Sequence, residues 1–251
     1  MVHFVGAGCG AADLITIRGK RLLEEADVVI YAGSLVNPEL LSYTKKNCLL
    51  YNSAKMTLEE IEEVILEAEK KGWMIVRLHS GDPSLYGAVR EQFEFLDRRG
   101  IEYDVCPGVS SFCGAAATLH AEYTPAGVSQ SVVITRVAGH TAVPERESIR
   151  SFAIHGATMV IFLSTGLLDK LTEELLAGGY EKNASAAILY KVSWPDEKIL
   201  RCTVETLSQT AKENGIENTA LIVVGEFLNE SSYRSRLYAP DFSTGFREAL
   251  Q

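Results

Sequence analysis

The sequence predicts an α/β protein of two domains, with a mostly parallel sheet in the N-terminal domain and a mixed sheet in the C-terminal domain. Apolar runs alternate with amphipathic stretches along the 251 residues, the pattern changes near residue 120, and glycine- or proline-bearing turns follow three of the runs. Those turns begin at Val5, Ser80 and Cys106. Ligands of open α/β sheets bind outside the carboxyl ends of the strands, so the turns predict one shared small-molecule site and therefore an enzyme.

The N-terminal half has the strand, helix, strand order of a parallel sheet. Thr57 and Glu60 are spaced as a capping box at the start of a helix that Gly72 ends. The predicted apolar face of that helix consists of Leu58, Ile61, Ile65 and Ala68. We predict strands at residues 2–5, 27–31, 73–78 and 103–106, and helices at 18–26, 57–71, 87–99 and 113–119.

A segment of turn composition at residues 122–127 separates the two halves. We place the boundary there, which gives an N-terminal domain of residues 1–120 and a C-terminal domain of residues 121–251. Polar alternation at residues 198–203 predicts a half-exposed antiparallel strand, which makes the second sheet mixed. The other predicted elements of this half are strands at 131–135, 158–163, 186–190 and 219–224 and helices at 167–177 and 204–214.

Composition narrows the choice of partners and compartment. The net charge is −9, with 24 basic against 33 acidic residues, and this balance disfavours a nucleic-acid partner. The five cysteines show no C-x-x-C spacing, so we expect neither a disulfide framework nor a metal site, and a reducing cytoplasm fits best. No apolar run approaches eighteen residues and no basic leader is present, so we expect no membrane partner.

The first turn offers an alternative function. Residues 6–11 match the dinucleotide fingerprint G-x-G-x-x-G/A and follow a strand, as in nicotinamide-binding enzymes. Such enzymes also need an acidic residue at the end of the second strand. Asp27 begins that strand instead, so its carboxylate is expected at the wrong edge of the sheet. A nicotinamide oxidoreductase therefore stays open only as a minor alternative.

Asp82 is the most informative single residue of the second turn. It lies between Gly81 and Pro83 at a strand end, where a tight turn exposes a carboxylate and glycine lets a ligand approach the backbone. A plain turn aspartate is the simpler interpretation. The neighbouring Pro107-Gly108-Val109-Ser110-Ser111 turn, expected one or two strands away, favours a functional one.

Together these motifs resemble the tetrapyrrole (precorrin) methyltransferases, which use S-adenosylmethionine. The resemblance covers nearly the whole chain and is carried by the turns at residues 5–8, 81–83 and 107–111 and by the run at 219–225. Within the family the likeness is greatest to members that methylate C11 of precorrin-4 or cobalt-precorrin-4. It is carried there by residues 31–36, 135–141, 193–197 and 237–242.

The resemblance implies two α/β domains with the cofactor in the cleft between them, and a homodimer. It implies S-adenosylmethionine as cofactor and S-adenosylhomocysteine as product. The residues that it assigns to cofactor binding are Ser80, Gly81, Asp82, Leu85, Ser110 and Ser111, with Leu163, Val192 and Ala220 from the second domain. The candidate contacts to the carboxylates of an anionic tetrapyrrole substrate are Arg136, His140, Tyr31 and Ser34, with Arg136 first because guanidinium can bind carboxylate bidentately.

Two departures from the family pattern affect these expectations. Cys9 and Ala11 replace a proline and an acidic residue of the first loop, so we expect that loop to be less rigid. His140 and Ala142 stand where the C11 enzymes have arginine and proline. A largely neutral imidazole can replace guanidinium only in part.

The implied reaction creates a quaternary carbon at C11, so it needs no strong base, only alignment and exclusion of water. Alternatives are a sister methyltransferase acting on another ring carbon, a relative that methylates RNA or protein, and a protein that binds cofactor without turnover. Both metal states of the substrate remain open, with the cobalt form slightly favoured.

Overall fold

The computed structural model describes residues 1–139, 141–229 and 235–249. The chain forms two compact units, of which the first comprises Met1–Ala115 and Lys191–Glu197 and the second Ala116–Tyr190 and Lys198–Gln251. Residues 191–197 belong to the first unit although they follow a long part of the second unit in the chain. The sequence predicted a single boundary at residue 120 and not this return.

The first unit contains a parallel sheet, as predicted. Its strands lie in the order β3-β2-β4-β1-β5. They are β1 (Val2–Gly6), β2 (Val28–Tyr31), β3 (Leu49–Asn52), β4 (Ile75–His79) and β5 (Tyr103–Cys106). The helices are α1 (Ile17–Glu25), α2 (Leu58–Lys70), α3 (Arg90–Arg99) and α4 (Ser111–Leu119), the last of which ends in the second unit.

The register brings the ends of the central strands together. Gly6 lies opposite His79, and Val5 lies opposite both Leu78 and Cys106. All these pairings are parallel. The loops that follow β1, β4 and β5 therefore leave the sheet at the same edge.

Both faces of this sheet are covered, because alternate residues of each strand point to opposite sides. One face packs Val5, Val29 and Val76 with Leu22 and Leu23 of α1. The other face has Phe4, Ile30 and Ile75 with residues of α2 and α3, namely Ile61, Ile65, Phe95 and Leu96.

Two details of this unit differ from the sequence-based expectations. Strand β3 was not predicted, because it is a short edge strand whose Leu49 and Leu50 are both exposed and show no alternation. The capping box at Thr57 and Glu60 is confirmed. Leu58, however, is the first residue of the helix and is exposed, so the buried face begins at Ile61 and the assignment of Leu58 to it was wrong.

The second unit contains the predicted mixed sheet. Its strands lie in the order β6-β7-β10-β8-β9, and only the β6 and β7 pair is parallel. They are β6 (Val132–Arg136), β7 (Thr158–Phe162), β8 (Ser185–Tyr190), β9 (Lys198–Thr203) and β10 (Ala220–Val224). The antiparallel pairing of β9 is confirmed. The helices are α5 (Ile149–Ala153), which was not predicted, α6 (Leu168–Ala177) and α7 (Leu207–Glu213).

The core of this unit lies between its helices and one face of the sheet. Ile161, Ile188 and Ile222 from three neighbouring strands pack with Leu171 and Leu175 of α6, and all five are fully buried. In the described part of the chain, no helix combines the length and apolar character that crossing a bilayer requires.

The two ends of the apolar pattern on α2 should differ in their contribution to stability. Ile65→Ala removes a fully buried side chain and is expected to lower the free energy of unfolding by about 2–5 kcal/mol. Leu58→Ala, at a position 36% exposed, should cost about 1 kcal/mol or less. Urea unfolding of both variants measures the difference, and equal losses would contradict the burial described above.

Candidate functional site

Three backbone segments meet closely at the carboxyl edge of the first sheet. A Cβ on Gly6 would lie 2.5 Å from the Cα of Gly108, and a Cβ on Gly108 would overlap the carbonyl oxygen of Gly81. The Gly81 amide also donates to the carbonyl of Gly8 at 2.9 Å. The three glycine turns singled out in the sequence therefore form one continuous backbone platform, in which side chains at Gly6 or Gly108 would push the loops apart.

The Asp82 carboxylate joins two of these turns. Its Oδ2 accepts from the amide of Gly108 at 2.8 Å, while Oδ1 accepts from the amide and hydroxyl of Ser84 at 2.9 and 2.5 Å. Burial opposes ionisation of this group, but the hydrogen bonds from Ser84 and Gly108 together outweigh it and lower the pKa of Asp82. The structure thus gives this carboxylate a place in organising the loops.

We call residues 80–88 the GDP loop. Its backbone adopts the left-handed region at Gly81 (φ 59°), Tyr86 (φ 56°) and Ala88 (φ 48°). The last two are unfavourable for residues with a Cβ and persist only where surrounding contacts impose them. Inside the loop, the amide of Leu85 donates to the Asp82 carbonyl at 3.3 Å.

The turn after β5 leads directly into α4. The carbonyl of Ser110 accepts from the amides of Cys113 and Gly114 at 3.0 and 3.2 Å, and Ser110 itself is buried. Ser111 is the first residue of the helix. The predicted cofactor residues Ser80, Gly81, Asp82, Leu85, Ser110 and Ser111 therefore belong to two adjoining loops on one edge of the first unit.

Residues 191–197 pack against the first loop, and Ser193 is the main contact. Its hydroxyl accepts from the amide of Ala11 at 3.0 Å and lies 3.3 Å from the Cys9 thiol. Asn37 donates to the carbonyl of Gly10 at 2.9 Å. Both residues of the first loop that depart from the family pattern therefore contact Ser193. The resemblance includes residues 193–197, but the sequence did not predict this contact because the partners are remote in the chain.

Val192 lies in the same returning segment. The family resemblance implied a place in the second domain, but Val192 belongs to the first unit and is buried. Its Cγ1 faces Gly114, where an added Cβ would lie 2.8 Å away. This contact explains the difference, since Val192 packs on α4 of the first unit.

Tyr31 and Ser34 also lie at the carboxyl edge of the first sheet. Tyr31 ends β2, which neighbours β4, and its carbonyl accepts from the Ser53 hydroxyl at 3.1 Å. Ser34 follows in an exposed turn. The structure therefore places these two candidate substrate contacts on the same edge as the GDP loop.

Leu163 and Ala220 share an edge of the second sheet. The antiparallel register of β7 and β10, in which Ile161 lies opposite Ile222, extends to place Leu163 opposite Ala220. Leu163 is 64% exposed with φ 51°, and Thr219 has φ 53°. Leu163 is thus both exposed and held in a strained conformation, and a second strained residue, Thr219, lies on the same edge.

Arg136 lies at the end of β6, on the same edge as Leu163. Its Nη1 donates to the carbonyl of Thr141 at 3.0 Å and its Nη2 to that of Ala142 at 2.9 Å. Arg136 therefore shapes the loop that follows it. His140, the other candidate in that loop, lies outside the described residues.

Asp27 lies at the opposite edge of the first sheet from the glycine turns. One carboxylate oxygen contacts the Lys45 ammonium at 2.7 Å and the other accepts from the Met74 amide at 2.9 Å. These bonds, chiefly that from Lys45, lower the pKa of Asp27. A ribose-binding role of the nicotinamide type is therefore contradicted by its position.

Sequence reasoning gave no structural role to Arg77 and passed over His79, two buried polar side chains of β4. Burial lowers the pKa of Arg77 to about 10. Burial and, second, the nearby Arg77 charge lower the pKa of His79 to about 3, so at neutral pH Arg77 is charged and His79 neutral. Their position inside an otherwise apolar strand is the sequence signal that could have singled out these two residues. Across the described ranges, no group of three or more His, Cys, Asp or Glu side chains is placed to hold a metal ion.

Replacing Asp82 should change the acid dependence of stability. An asparagine side chain has one acceptor oxygen where aspartate has two, so Asp82→Asn should lower the free energy of unfolding by about 1–2 kcal/mol at pH 7. The pKa of Asp82 is lower in the folded state than in the unfolded state. The wild-type protein should therefore have its full stability advantage over the variant at pH values above the ordinary aspartate pKa, and should lose it as the pH falls through the lowered pKa. Urea unfolding between pH 7 and pH 3, with the exposed Asp13→Asn as control, measures this. A difference independent of pH would refute the assigned hydrogen bonds.

Comparison with known proteins agrees with this geometry. Residues 1–208 match the family model described as tetrapyrrole (corrin/porphyrin) methylases. The chain is 50% identical to the cobalt-precorrin-4 C(11)-methyltransferase of Methanocaldococcus jannaschii, over 99% of this chain and 96% of that one.

Two solved structures are similar over most of the chain. A cobalt-precorrin-4 methyltransferase of cobalamin biosynthesis superposes with a TM-score of 0.89 and 41% identity, covering 91% of this chain and 96% of the other. The uroporphyrin-III C-methyltransferase of Thermus thermophilus, complexed with S-adenosylhomocysteine, superposes with a TM-score of 0.74 and 27% identity, covering 90% of this chain and 92% of the other. The resemblance and the fold class predicted from the sequence are confirmed: this chain belongs to the tetrapyrrole methylase family.

Proposed function

We propose that this chain transfers a methyl group from S-adenosylmethionine to C11 of cobalt-precorrin-4 in cobalamin biosynthesis. The observation that carries the proposal is the likeness to the Methanocaldococcus jannaschii enzyme, which extends over 99% of this chain at 50% identity. The uroporphyrin-III enzyme, which acts on a different tetrapyrrole, is less similar to this chain in sequence and in structure than the solved cobalt-precorrin-4 methyltransferase is. Metal-free precorrin-4 is the alternative substrate.

The first unit fits S-adenosylmethionine through its backbone. A Cβ added at Gly81 would make ordinary contact with Ser110 and Ser111, at 3.5 Å or more, so the GDP loop lies directly against the start of α4. We assign binding of the cofactor to Ser80, Gly81 and Leu85 with Ser110 and Ser111. Asp82 contributes by holding the two loops together, since both of its oxygens are already engaged.

We assign Leu163 and Ala220 to cofactor binding from the second unit, and Val192 from the returning segment of the first. An exposed leucine held in a strained conformation gains contact area when an apolar group covers it. Adenine and the methionine chain are largely apolar surfaces that packing and backbone groups can hold. The few charged groups of these loops are consistent with that role.

S-adenosylmethionine supplies an electrophilic methyl group on its sulfonium. The chain has to align the cofactor with a nucleophilic ring carbon and exclude water, which lowers the barrier by orientation. No proton leaves C11, because methylation makes it quaternary. A neutral, buried His79 and a hydrogen-bonded Asp82 are compatible with a reaction that does not require a strong base.

Anionic substrate groups need cations, and Arg136 is our first candidate. The described part of the chain places no carboxylate within 4.0 Å of its guanidinium. Its two bonds to loop carbonyls orient the charge without neutralising it. We assign Arg136, with His140, Tyr31 and Ser34, to recognition of the acetate and propionate groups.

We also propose a homodimer in the cytoplasm, on the family resemblance and on the five free thiols, which suit a reducing compartment. The net charge of −9 disfavours the alternative of a relative that methylates RNA. The position of Asp27 disfavours a nicotinamide enzyme.

The function is tested by incubating the purified protein with methyl-labelled S-adenosylmethionine and either cobalt-precorrin-4 or precorrin-4. We expect one added methyl group on C11, identified by mass spectrometry and NMR, and one S-adenosylhomocysteine released. A methyl group on another ring carbon would assign a sister activity instead. Cofactor binding without transfer would indicate a binding protein, and binding of NAD in place of S-adenosylhomocysteine would overturn the proposal.

Leu163 provides a test of the cofactor assignment in the second unit. Leu163→Asp is expected to weaken S-adenosylhomocysteine binding by about 10- to 100-fold, the equivalent of losing one buried leucine contact. Folding should be preserved, since aspartate tolerates the left-handed backbone better than leucine does. Calorimetric titration measures the affinity. Ile154→Asp, at another exposed apolar position of this unit, is the matched control, and equal effects of the two variants would refute the assignment.

A further inference from the structure

Arg77 is a buried cation whose described neighbours satisfy it with neutral oxygens. Its side chain lies on the face of β4 that packs against α2 and α3, and only 5% of the residue is exposed. Its Nε donates to Oε1 of Gln92 at 3.0 Å and its Nη1 to the carbonyl of Ile30 at 3.1 Å. A charge retained in this position without a carboxylate at ion-pair distance in the described chain calls for an explanation beyond packing.

Gln92 transmits the orientation of Arg77 to the GDP loop. This residue of α3 is 3% exposed and uses both ends of its amide. Since Oε1 accepts from Arg77, the amide nitrogen must point the other way, and it donates to the carbonyl of Ala88 at 3.0 Å. Arg77 thus selects one of the two amide orientations, and that orientation is the one that bonds the loop.

The bonded carbonyl lies at a strained point. Ala88 is one of the two non-glycine residues of the GDP loop with positive φ, and its conformation needs an external contact to persist. The start of the loop is held by Asp82 through Gly108 and Ser84. The end is held by Gln92. Leu85 lies between these two anchors.

We propose that Arg77 and Gln92 are positioning residues that hold the end of the GDP loop in the conformation that binds S-adenosylmethionine. The inference rests on the proposed function, because it assigns a cause to the binding geometry of that same loop. The pair touches neither substrate nor cofactor and acts through the Ala88 carbonyl.

Gln92→Glu separates the two bonds of the glutamine. The carboxylate keeps, and strengthens, the contact to Arg77, but it stays ionised beside that guanidinium and cannot donate to Ala88. We expect the melting temperature to be retained while the Kd for S-adenosylhomocysteine and the KM for S-adenosylmethionine rise about threefold to tenfold, the equivalent of one hydrogen bond. The KM for the tetrapyrrole should stay unchanged. Hydrogen exchange of the amides at residues 85–88 should become faster in the absence of any ligand.

Two further variants complete the test. Gln209→Glu makes the same charge change at an exposed position of α7, and it should leave the affinity for S-adenosylhomocysteine and the hydrogen exchange of residues 85–88 at wild-type values. The double variant Arg77→Met with Gln92→Met replaces both buried partners by apolar side chains of similar length, which cores often tolerate. It should fold and show the same loss of affinity as Gln92→Glu.

The outcomes are distinguishable. Folded Gln92→Glu and double variants that bind S-adenosylhomocysteine as wild type does, with unchanged exchange at residues 85–88, would overturn the positioning role and leave the proposed function intact. A wild-type protein that does not bind S-adenosylhomocysteine would overturn the proposed function and, with it, the assignment of the loop.

Discussion

The arrangement of the first unit depends on the direct contact between the backbones of three turns at one edge of its parallel sheet. Gly6 and Gly108 approach each other and the Gly81 carbonyl more closely than any side chain would permit. The carboxylate of Asp82 then completes the contact by accepting from the Gly108 amide. This packing requires β1, β4 and β5 to end at the same level, which their register provides. Backbone packing consequently fixes the conformation of the loops, and few of their polar side chains remain available for catalysis.

Such an edge suits a reaction whose catalysis is mainly orientation. A displacement at a sulfonium methyl needs the donor held rigidly and kept dry, and it needs no proton acceptor when the product carbon is quaternary. The ionisable groups nearby follow this pattern: Asp82 is hydrogen-bonded within the loops, His79 is buried and neutral, and Arg77 is buried on the face that α2 and α3 cover. In the second unit the comparable feature is again backbone strain, at Leu163 and Thr219 on one sheet edge.

The turns that form the candidate site could be predicted because their signals are local. Glycine and proline at strand ends mark turns whatever the rest of the chain does, and the first glycine turn, the GDP loop and the Pro107 turn were all located in this way. Features that depend on contacts remote in sequence were missed or misplaced. Ser193 meets Cys9 and Ala11 across more than 180 residues, and Val192 packs on α4 instead of belonging to the second unit. Leu58 was assigned to a buried face because periodicity cannot tell where on the helix the packing begins.

The amino-acid sequence by itself determined the α/β class, the order of the strands and helices apart from β3 and α5, the parallel and mixed sheets and the family, since these follow from period, turn chemistry and motifs that each occupy a few neighbouring residues. Only the tertiary structure decided what the polar side chains do. Asp82 could have been a free carboxylate, Asp27 a ribose ligand and Arg77 a surface cation, and the choice was made by partners that folding brings from other strands, helices and loops. The reason is physical: the charge state and availability of a side chain are set by its burial and hydrogen bonds, and these are properties of neighbours in space.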